Sequence, residues 1–334
     1  MRVTTNMVMR NYQNHLYDTM GGLESSRTQV ETQRRFSSSY EDPASAARAS
    51  VLERRYARNA DYQDNVLNTM KWQDTQEDAV TQINKIATTI SKDYSISAIT
   101  DTSGKDGRET YAKGLRELQN TMVQILNTKY GDSFVLAGNG GSEEAPFSLS
   151  QDGKTLLYRG VDVNDPAMSD VLSELSEEKA YVDLGFGMSY DANGELISTS
   201  AFNYSIPGIN VVGYGQTEDG TAKNIIVLAG QMAEVLEADN FDREAYEKLW
   251  SQFQESAVGV QDTVTEIGTK TELLTNTQSR LEAEEISIQE QYNNEVGIDS
   301  AKAIMNYSWA SYAYNSALKV GTSIITPSLL DFID

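Results

Sequence analysis

The feature that most constrains this chain is the absence of proline from two long stretches, residues 44–145 and 208–326. Proline interrupts a helix interior, so both stretches can be helical over most of their length. In the second stretch, large apolar residues recur mostly seven positions apart. They are Leu249, Phe253, Val260, Ile267, Leu274, Leu281, Ile288 and Tyr292. This period is typical of helices that pack side by side in a bundle or coiled coil.

The first stretch shows a related pattern, because its apolar residues are separated by steps built from three and four. One series comprises Val66, Met70, Val80, Ile83, Ala87, Ile90 and Tyr94, and another comprises Tyr111, Leu115, Leu118, Met122 and Ile125. A single helix over residues 44–94 would be about 75 Å long at ~1.5 Å per residue. A helix of that length cannot wrap a compact core, so the sequence predicts a long-helix rod.

The centre of the chain has a different character, since thirteen of the 23 glycines fall between Gly131 and Gly220. Short apolar runs at 154–158 and 182–186 predict strands, and Asn193-Gly194 predicts the turn of a hairpin. Helix is expected to resume near Ile225 and, after an interruption, behind an N-cap at Asp242.

The predicted fold class is therefore mainly α with a β-rich insert (α+β). Both chain ends build a long-helix rod or coiled-coil bundle, and a strand-rich central lobe is attached to it. The expected segments are an N-terminal assembly helix, two parts of the helical rod, an acidic outer lobe between them, and a C-terminal assembly helix with its tail. Their boundaries are 1–43 for the first helix, 44–138 and 223–295 for the rod, 139–222 for the lobe and 296–334 for the end.

Composition argues against several classes of function. The chain has no cysteine and one histidine, His15, which excludes thiolate metal sites and leaves little basis for a histidine-dependent catalytic site. Its net charge is −22, so nucleic acid and anionic membranes are poor partners. The glycine-rich segment 138–141 lacks the Lys-Ser/Thr of a phosphate-binding loop. We therefore expect no catalytic residue, cofactor or metal, and a protein that is not an enzyme.

Both ends of the chain are amphipathic and lack an evident partner. The candidate subunit-interface residues in the N-terminal stretch are Val3, Met7, Leu16, Met20 and Leu23. Those in the C-terminal stretch are Ile304, Tyr307, Tyr314, Leu318, Ile325, Leu329, Leu330 and Phe332. A row of small residues, Ala303, Ala310, Ala313 and Ala317, would allow close helix approach. Either the ends complete a coiled coil with other subunits, or they form an ordinary helix pair within one chain.

Several segments resemble the flagellin superfamily, and within it the hook-filament junction proteins. The first seven residues are similar to that family's opening, and residues 34–44 resemble the turn after its first helix, with Arg34, Arg35, Asp42 and Pro43 as the turn residues. Residues 133–139 resemble the run that leads out of the helices, and residues 317–322 and 327–333 its C-terminal ending. One departure is Gln33, where family members often carry glycine.

The resemblance implies a structural subunit of the bacterial flagellum that joins the hook to the filament. Its terminal helices would form the inner coiled-coil core and its insert would face outward. The implied partners are the first hook-associated protein, flagellin, further copies in a ring, the flagellar type III export apparatus and an export chaperone. The implied location is extracellular, reached without a cleaved signal peptide.

Two other structural functions stay open at this point. A flagellin, which repeats along the filament, would belong to the same superfamily, although the ending Asp331-Phe332-Ile333 argues against it. An unrelated helical secretion-apparatus protein could share the amphipathic ends. A hydrolytic enzyme within the insert is a third reading, but no pair of carboxylates stands out there.

Overall fold

A computed structural model describes residues 5–96, 104–139 and 144–325. Its helices are α1 (Thr5–Thr32), α2 (Pro43–Asp93), α3 (Lys105–Leu126), α4 (Ser169–Ser176), α5 (Gly208–Val212), α6 (Ile225–Glu237), α7 (Arg243–Val296) and α8 (Ser300–Ile325). Its strands are β1 (Lys129–Tyr130), β2 (Ser133–Phe134), β3 (Phe147–Leu149), β4 (Leu156–Tyr158), β5 (Val161–Asp162), β6 (Tyr181–Val182) and β7 (Phe202–Asn203). The predicted fold class, mainly helical with a strand-containing centre, is confirmed.

The described chain forms two compact units. The first comprises the described residues up to 60 together with those from 282 onward, and the second comprises residues 61–281. Helices α2 and α7 each contribute residues to both units. The predicted boundaries at residues 139 and 222 fall inside the second unit, and the division of the chain at those points stays a prediction.

The second unit has one large apolar core, to which the seven-residue pattern of α7 contributes directly. Phe253, Val260 and Ile267 are fully buried and pack with Ile83 and Ile90 of α2 in this core. The predicted heptad positions are thus inward-facing in the structure. Each such side chain contributes roughly 1.5–3 kcal/mol when it is removed from water.

The central strands share this core with the helices. In the antiparallel sheet β3–β4–β5, Phe147 pairs with Tyr158 and Leu149 pairs with Leu156. The amide of Gln119 on α3 donates to the carbonyls of Gly153 and Ile226, both at 2.9 Å, because the buried backbone there needs hydrogen-bond partners. Strand and helix are therefore joined by polar as well as apolar contacts.

The strand predictions differ in outcome. The strand predicted at 154–158 is confirmed over Leu156–Tyr158, which form β4. The one predicted at 182–186 is wrong beyond Val182, because Leu184 instead packs into a small second cluster with Val66, Phe202, Leu274 and Leu281.

The turn at Asn193-Gly194 is present. The Asp191 carboxylate accepts from the amide N–H groups of Asn193 and Glu195, both at 2.8 Å, and Gly194 has φ +84°. The flanking arms form only the bridge Tyr190–Leu196, because they have no core to pack on.

Both predicted helix starts after the insert are confirmed. Helix α6 begins at Ile225, and Asn224 caps it by accepting from the N–H groups of Ile226 and Val227. Asp242 accepts from the Ala245 N–H at 3.1 Å as α7 begins.

None of the described helices is long and apolar enough to cross a membrane. Among residues 5–96, 104–139 and 144–325, no three His, Asp or Glu side chains are placed to hold a metal ion together. His15 lies exposed on α1.

Candidate subunit-interface surface on the terminal helices

Helices α1 and α8 pack against each other within the first unit. Most half-buried positions of α1 follow steps of three and four residues. They are Met9, Tyr12, Leu16, Thr19, Leu23, Ser26 and Val30, and Thr28 and Gln29 are half-buried as well. Between residues 300 and 322, the covered positions of α8 are Ala303, Ala310, Ser311, Tyr314, Ser316, Ala317 and Gly321, and most of them follow the same spacing. An intramolecular helix pair, one of the two alternatives for the chain ends, is therefore present.

The small residues of α8 allow this pair to approach closely. A Cβ atom placed on Gly321 would overlap the hydroxyl of Tyr12, so the ring lies directly over the glycine. Ala303 is 4% exposed, the lowest value of any described alanine on α8. The predicted small-residue row is thus the side of α8 that faces α1, with the exception of Ala313, which is exposed.

Many large apolar residues of both helices lie outside this contact. On α8 the exposed ones are Ile304, Met305, Tyr307, Trp309, Tyr312, Leu318 and Val320, and on α1 they are Met7, Val8, Tyr17 and Met20. Trp309 and Tyr312 are 67% and 70% exposed. A concentration of large apolar residues in contact with water marks an interaction surface. We name these eleven residues the terminal apolar surface.

The structure separates the predicted interface residues into three groups. Met7, Met20, Ile304, Tyr307 and Leu318 belong to the terminal apolar surface, whereas Leu16, Leu23 and Tyr314 are half-buried within the α1–α8 pair. The small residues lie at the centre of the α1–α8 contact, and Ile304 and Leu318 lie at its flank. That these residues form a subunit interface stays a prediction. Val3, Leu329, Leu330 and Phe332 lie outside the described residues, as does the side chain of Ile325.

Sequence reasoning missed several members of this surface, among them Tyr17 and Tyr312, which are 72% and 70% exposed. Met305, Trp309 and Tyr312 are spaced by four and three residues beside the alanine row, which places them together on one side of α8. That spacing is the signal that could have identified them.

The turn after α1 is tied to the turn between α7 and α8. Gln33 has φ +56°, a left-handed conformation that glycine adopts more easily, which explains the preference for glycine expected at this position. Its side-chain amide donates to the Val30 carbonyl at 2.7 Å and its amide oxygen accepts from the Ser300 hydroxyl at 2.6 Å. The Arg35 N–H donates to the Val296 carbonyl at 2.7 Å.

The predicted turn residues make specific contacts. Asp42 caps α2 by accepting from the Ser45 N–H at 3.1 Å, Pro43 occupies the first helical position, and Arg35 donates to the Asp42 carboxylate at 2.9 Å. The backbone hydrogen bond from Ser45, followed by its side-chain hydrogen bond and the charge of Arg35, lowers the pKa of Asp42. The turn therefore has a fixed geometry.

Arg34 extends these contacts to α7. Its guanidinium donates to the Tyr292 hydroxyl at 3.1 Å, and that hydroxyl donates to the Glu53 carboxylate at 3.0 Å. Partial burial, and then the hydrogen bond to Glu53, raises the pKa of Tyr292. The hydroxyl thus stays protonated and available as a donor at neutral pH.

Comparison with known proteins points to one group. Residues 3–140 match the family model of the bacterial flagellin N-terminal helical region. The fold is similar to a structure described as a flagellar hook-associated protein from Vibrio parahaemolyticus, with 13% identity and a TM-score of 0.60 over 77% of this chain and 100% of that chain. It is also similar to FlgL from Bacillus cereus, with 14% identity and a TM-score of 0.51 over 73% of this chain and 99% of that chain. No curated protein matches the sequence.

These similarities confirm the resemblance seen in the sequence motifs. The family model covers α1, α2 and α3, which include the N-terminal half of the α1–α8 pair. The solved structures extend the likeness of fold to most of the chain. Residues 3–140 are thus similar to the N-terminal helical region of bacterial flagellins, and the fold of the chain is similar to that of a flagellar hook-associated protein and of FlgL.

Proposed function

We propose that this chain is a structural, non-enzymatic subunit of the bacterial flagellum that joins the hook to the filament. The terminal apolar surface would pack, in coiled-coil fashion, against the terminal helices of neighbouring subunits. The observation that carries the proposal is the exposure of this surface on helices that include a flagellin N-terminal region.

The energetics favour burial of that surface in an assembly. Removing one Leu or Ile side chain from water contributes roughly 1.5–3 kcal/mol. Ile304 and Met20 remain more than half exposed in the single chain, so most of this free energy is available only when another molecule covers them. Burial of these side chains would therefore stabilise a subunit within an assembly but not the free chain.

The proposed partners follow from a position at the hook-filament junction. They are the first hook-associated protein on one side, flagellin on the other, and further copies of this chain in a ring. Delivery to the outside of the cell would use the flagellar type III export apparatus, with an export chaperone covering the terminal apolar surface before export.

A flagellin filament subunit is the second candidate, and the family model favours it because that model describes flagellins themselves. The two candidates differ in location and number. A junction protein is confined to a ring at the base of each filament, whereas a flagellin repeats along its whole length.

Immunogold labelling of this chain on intact flagella tests the proposal directly. We expect label at one position between hook and filament, and we expect cells without the gene to keep hooks but lose filaments. Label along the entire filament would establish the flagellin alternative. Absence from the flagellum would refute both.

A further inference from the structure

In the first unit, residues 43–60 of α2 pack along residues 282–296 of α7. Leu52 and Ile288 are buried between the two segments, and the Tyr56 hydroxyl donates to the Glu285 carboxylate at 3.1 Å. Arg48 pairs with Glu295 at 2.9 Å on the same side. These contacts define the inner faces of a two-helix segment, which we call the segment pair.

The two helices of the segment pair carry opposite charge. Residues 43–60 contain four arginines and one glutamate, a net charge of +3, whereas residues 282–296 contain five glutamates and no Lys or Arg, a net charge of −5. The intramolecular ion pairs use Arg48 and the more distant Arg55, which lies 3.9 Å from Glu284. Among the described residues, Arg54, Arg58 and Glu290 have no partner of opposite charge.

The unpaired charges lie on the outward faces, each beside an exposed aliphatic residue. At about 100° per residue, Val51, Arg54 and Arg58 lie opposite the buried positions of α2. By the same geometry Ile286 and Glu290 lie opposite the buried positions of α7. Val51 is 47% exposed and Ile286 is 60% exposed. The segment pair therefore presents a basic face and an acidic face, each with an apolar centre, on its two sides.

We propose that these two faces bind each other between neighbouring copies of this chain. Val51 of one copy would contact Ile286 of the next, with Arg54 and Arg58 against Glu290 and the nearby Glu282. The proposal rests on the proposed function in that it identifies the lateral contact of the ring. The occupant is a second copy because the charge and the apolar centre of one face match those of the other.

The charges also determine the type of contact. A two-fold symmetric contact would bring each face against itself and place like charges together, which is unfavourable. A head-to-tail contact joins the basic face to the acidic face and leaves one of each free for further copies. That arrangement generates a ring or a helical array.

The chain lacks cysteine, so engineered thiols provide a direct test. The full-length variants Val51→Cys and Ile286→Cys are mixed, oxidised mildly at low ionic strength, and the disulfide-linked dimers are identified by mass spectrometry. We expect the mixed Val51–Ile286 product to exceed either homotypic product by about tenfold, since complementary charge steers the encounter. A matched control replaces Val51→Cys with Ala57→Cys, which is exposed on the same helix about 120° away.

Charge reversal provides the second arm. Arg54→Glu/Arg58→Glu in the Val51→Cys chain should reduce the mixed product at least fivefold. Adding Glu282→Lys/Glu290→Lys to the partner chain that carries Ile286→Cys should restore it. A predominance of homotypic product, or equal product with Ala57→Cys, would overturn the proposal. The cross-linking experiment uses the purified chain, so a negative result would not contradict the proposed location on the flagellum. A negative immunogold result, in turn, would not contradict a positive cross-link between copies.

Discussion

Gly321 and Gln33 show how single residues set the geometry of the terminal helices and of the turn after α1. Gly321 is required because the ring of Tyr12 occupies the space where a Cβ atom would stand, whereas a Cβ atom on Gly22 would meet no other atom within 4 Å. At Gln33 the chain accepts φ +56° without glycine and compensates with two side-chain hydrogen bonds. The family resemblance identified Gln33 as a departure from glycine. Its hydrogen bond with Ser300 could not be predicted, because Ser300 lies 267 positions away and no sequence pattern connects the two residues.

Gly321 and Gly22 provide a matched pair of substitutions. Gly321→Ala should destabilise the α1–α8 pair by about 1–3 kcal/mol, because the methyl group overlaps the Tyr12 hydroxyl. Gly22→Ala should stabilise it by roughly 0.5–1 kcal/mol through helix propensity alone. Both changes replace a helical glycine, so the difference isolates the contact. Amide exchange of α1 and α8 measures each effect, and equal behaviour of the two variants would show that Tyr12 does not lie over Gly321.

At the scale of elements, long periodic helices were predictable and short strands were less so. The heptad spacing of α7 repeats across many turns, so each buried position reinforces the same prediction. Strand β6 has two residues and pairs with β7 about twenty residues later, which leaves no local period to detect. On α8 the sequence indicated both the large apolar residues and the alanine row, but its pattern did not determine which of the two would face α1.

The outward position of Leu318 leads to a prediction about assembly. Leu318 is 40% exposed, so Leu318→Asp should change the melting temperature of the free chain by at most a few degrees. It should nevertheless strongly reduce retention at the filament base, because an unpaired carboxylate in an apolar contact costs several kcal/mol. The neighbouring exposed change Lys319→Gln serves as the control and should be retained normally.

Two measurements decide this prediction: calorimetry of the free chain, and the amount of each exported variant held on intact flagella. A large drop in melting temperature would mean that Leu318 is part of the intramolecular contact. Normal retention of Leu318→Asp would remove this residue from the assembly surface.

For the whole molecule, the distribution of buried residues along the chain distinguishes the stable core from the terminal helices, which the total apolar content does not. Val80, Ile83 and Ile267 of the second unit are fully buried, whereas no described residue of α1 from 6 to 32 is fully buried. The sequence predicted amphipathic ends from their apolar stripes. It could not show how incompletely they would cover each other, because coverage depends on which face of α8 meets α1.

This difference in burial predicts different local stabilities in the free chain. Amides of α1 and α8 should exchange roughly a hundredfold or more faster than those of residues 66–90 and 260–281, because regions with little buried apolar surface open at low free-energy cost. Hydrogen-deuterium exchange with mass spectrometry on the purified chain measures both regions at once. If the proposed function holds, the amides of α1 and α8 should become protected in intact flagella, because neighbouring subunits would cover the terminal apolar surface. Equal protection of all these helices in the free chain would mean that the α1–α8 pair is already complete and gains nothing from assembly.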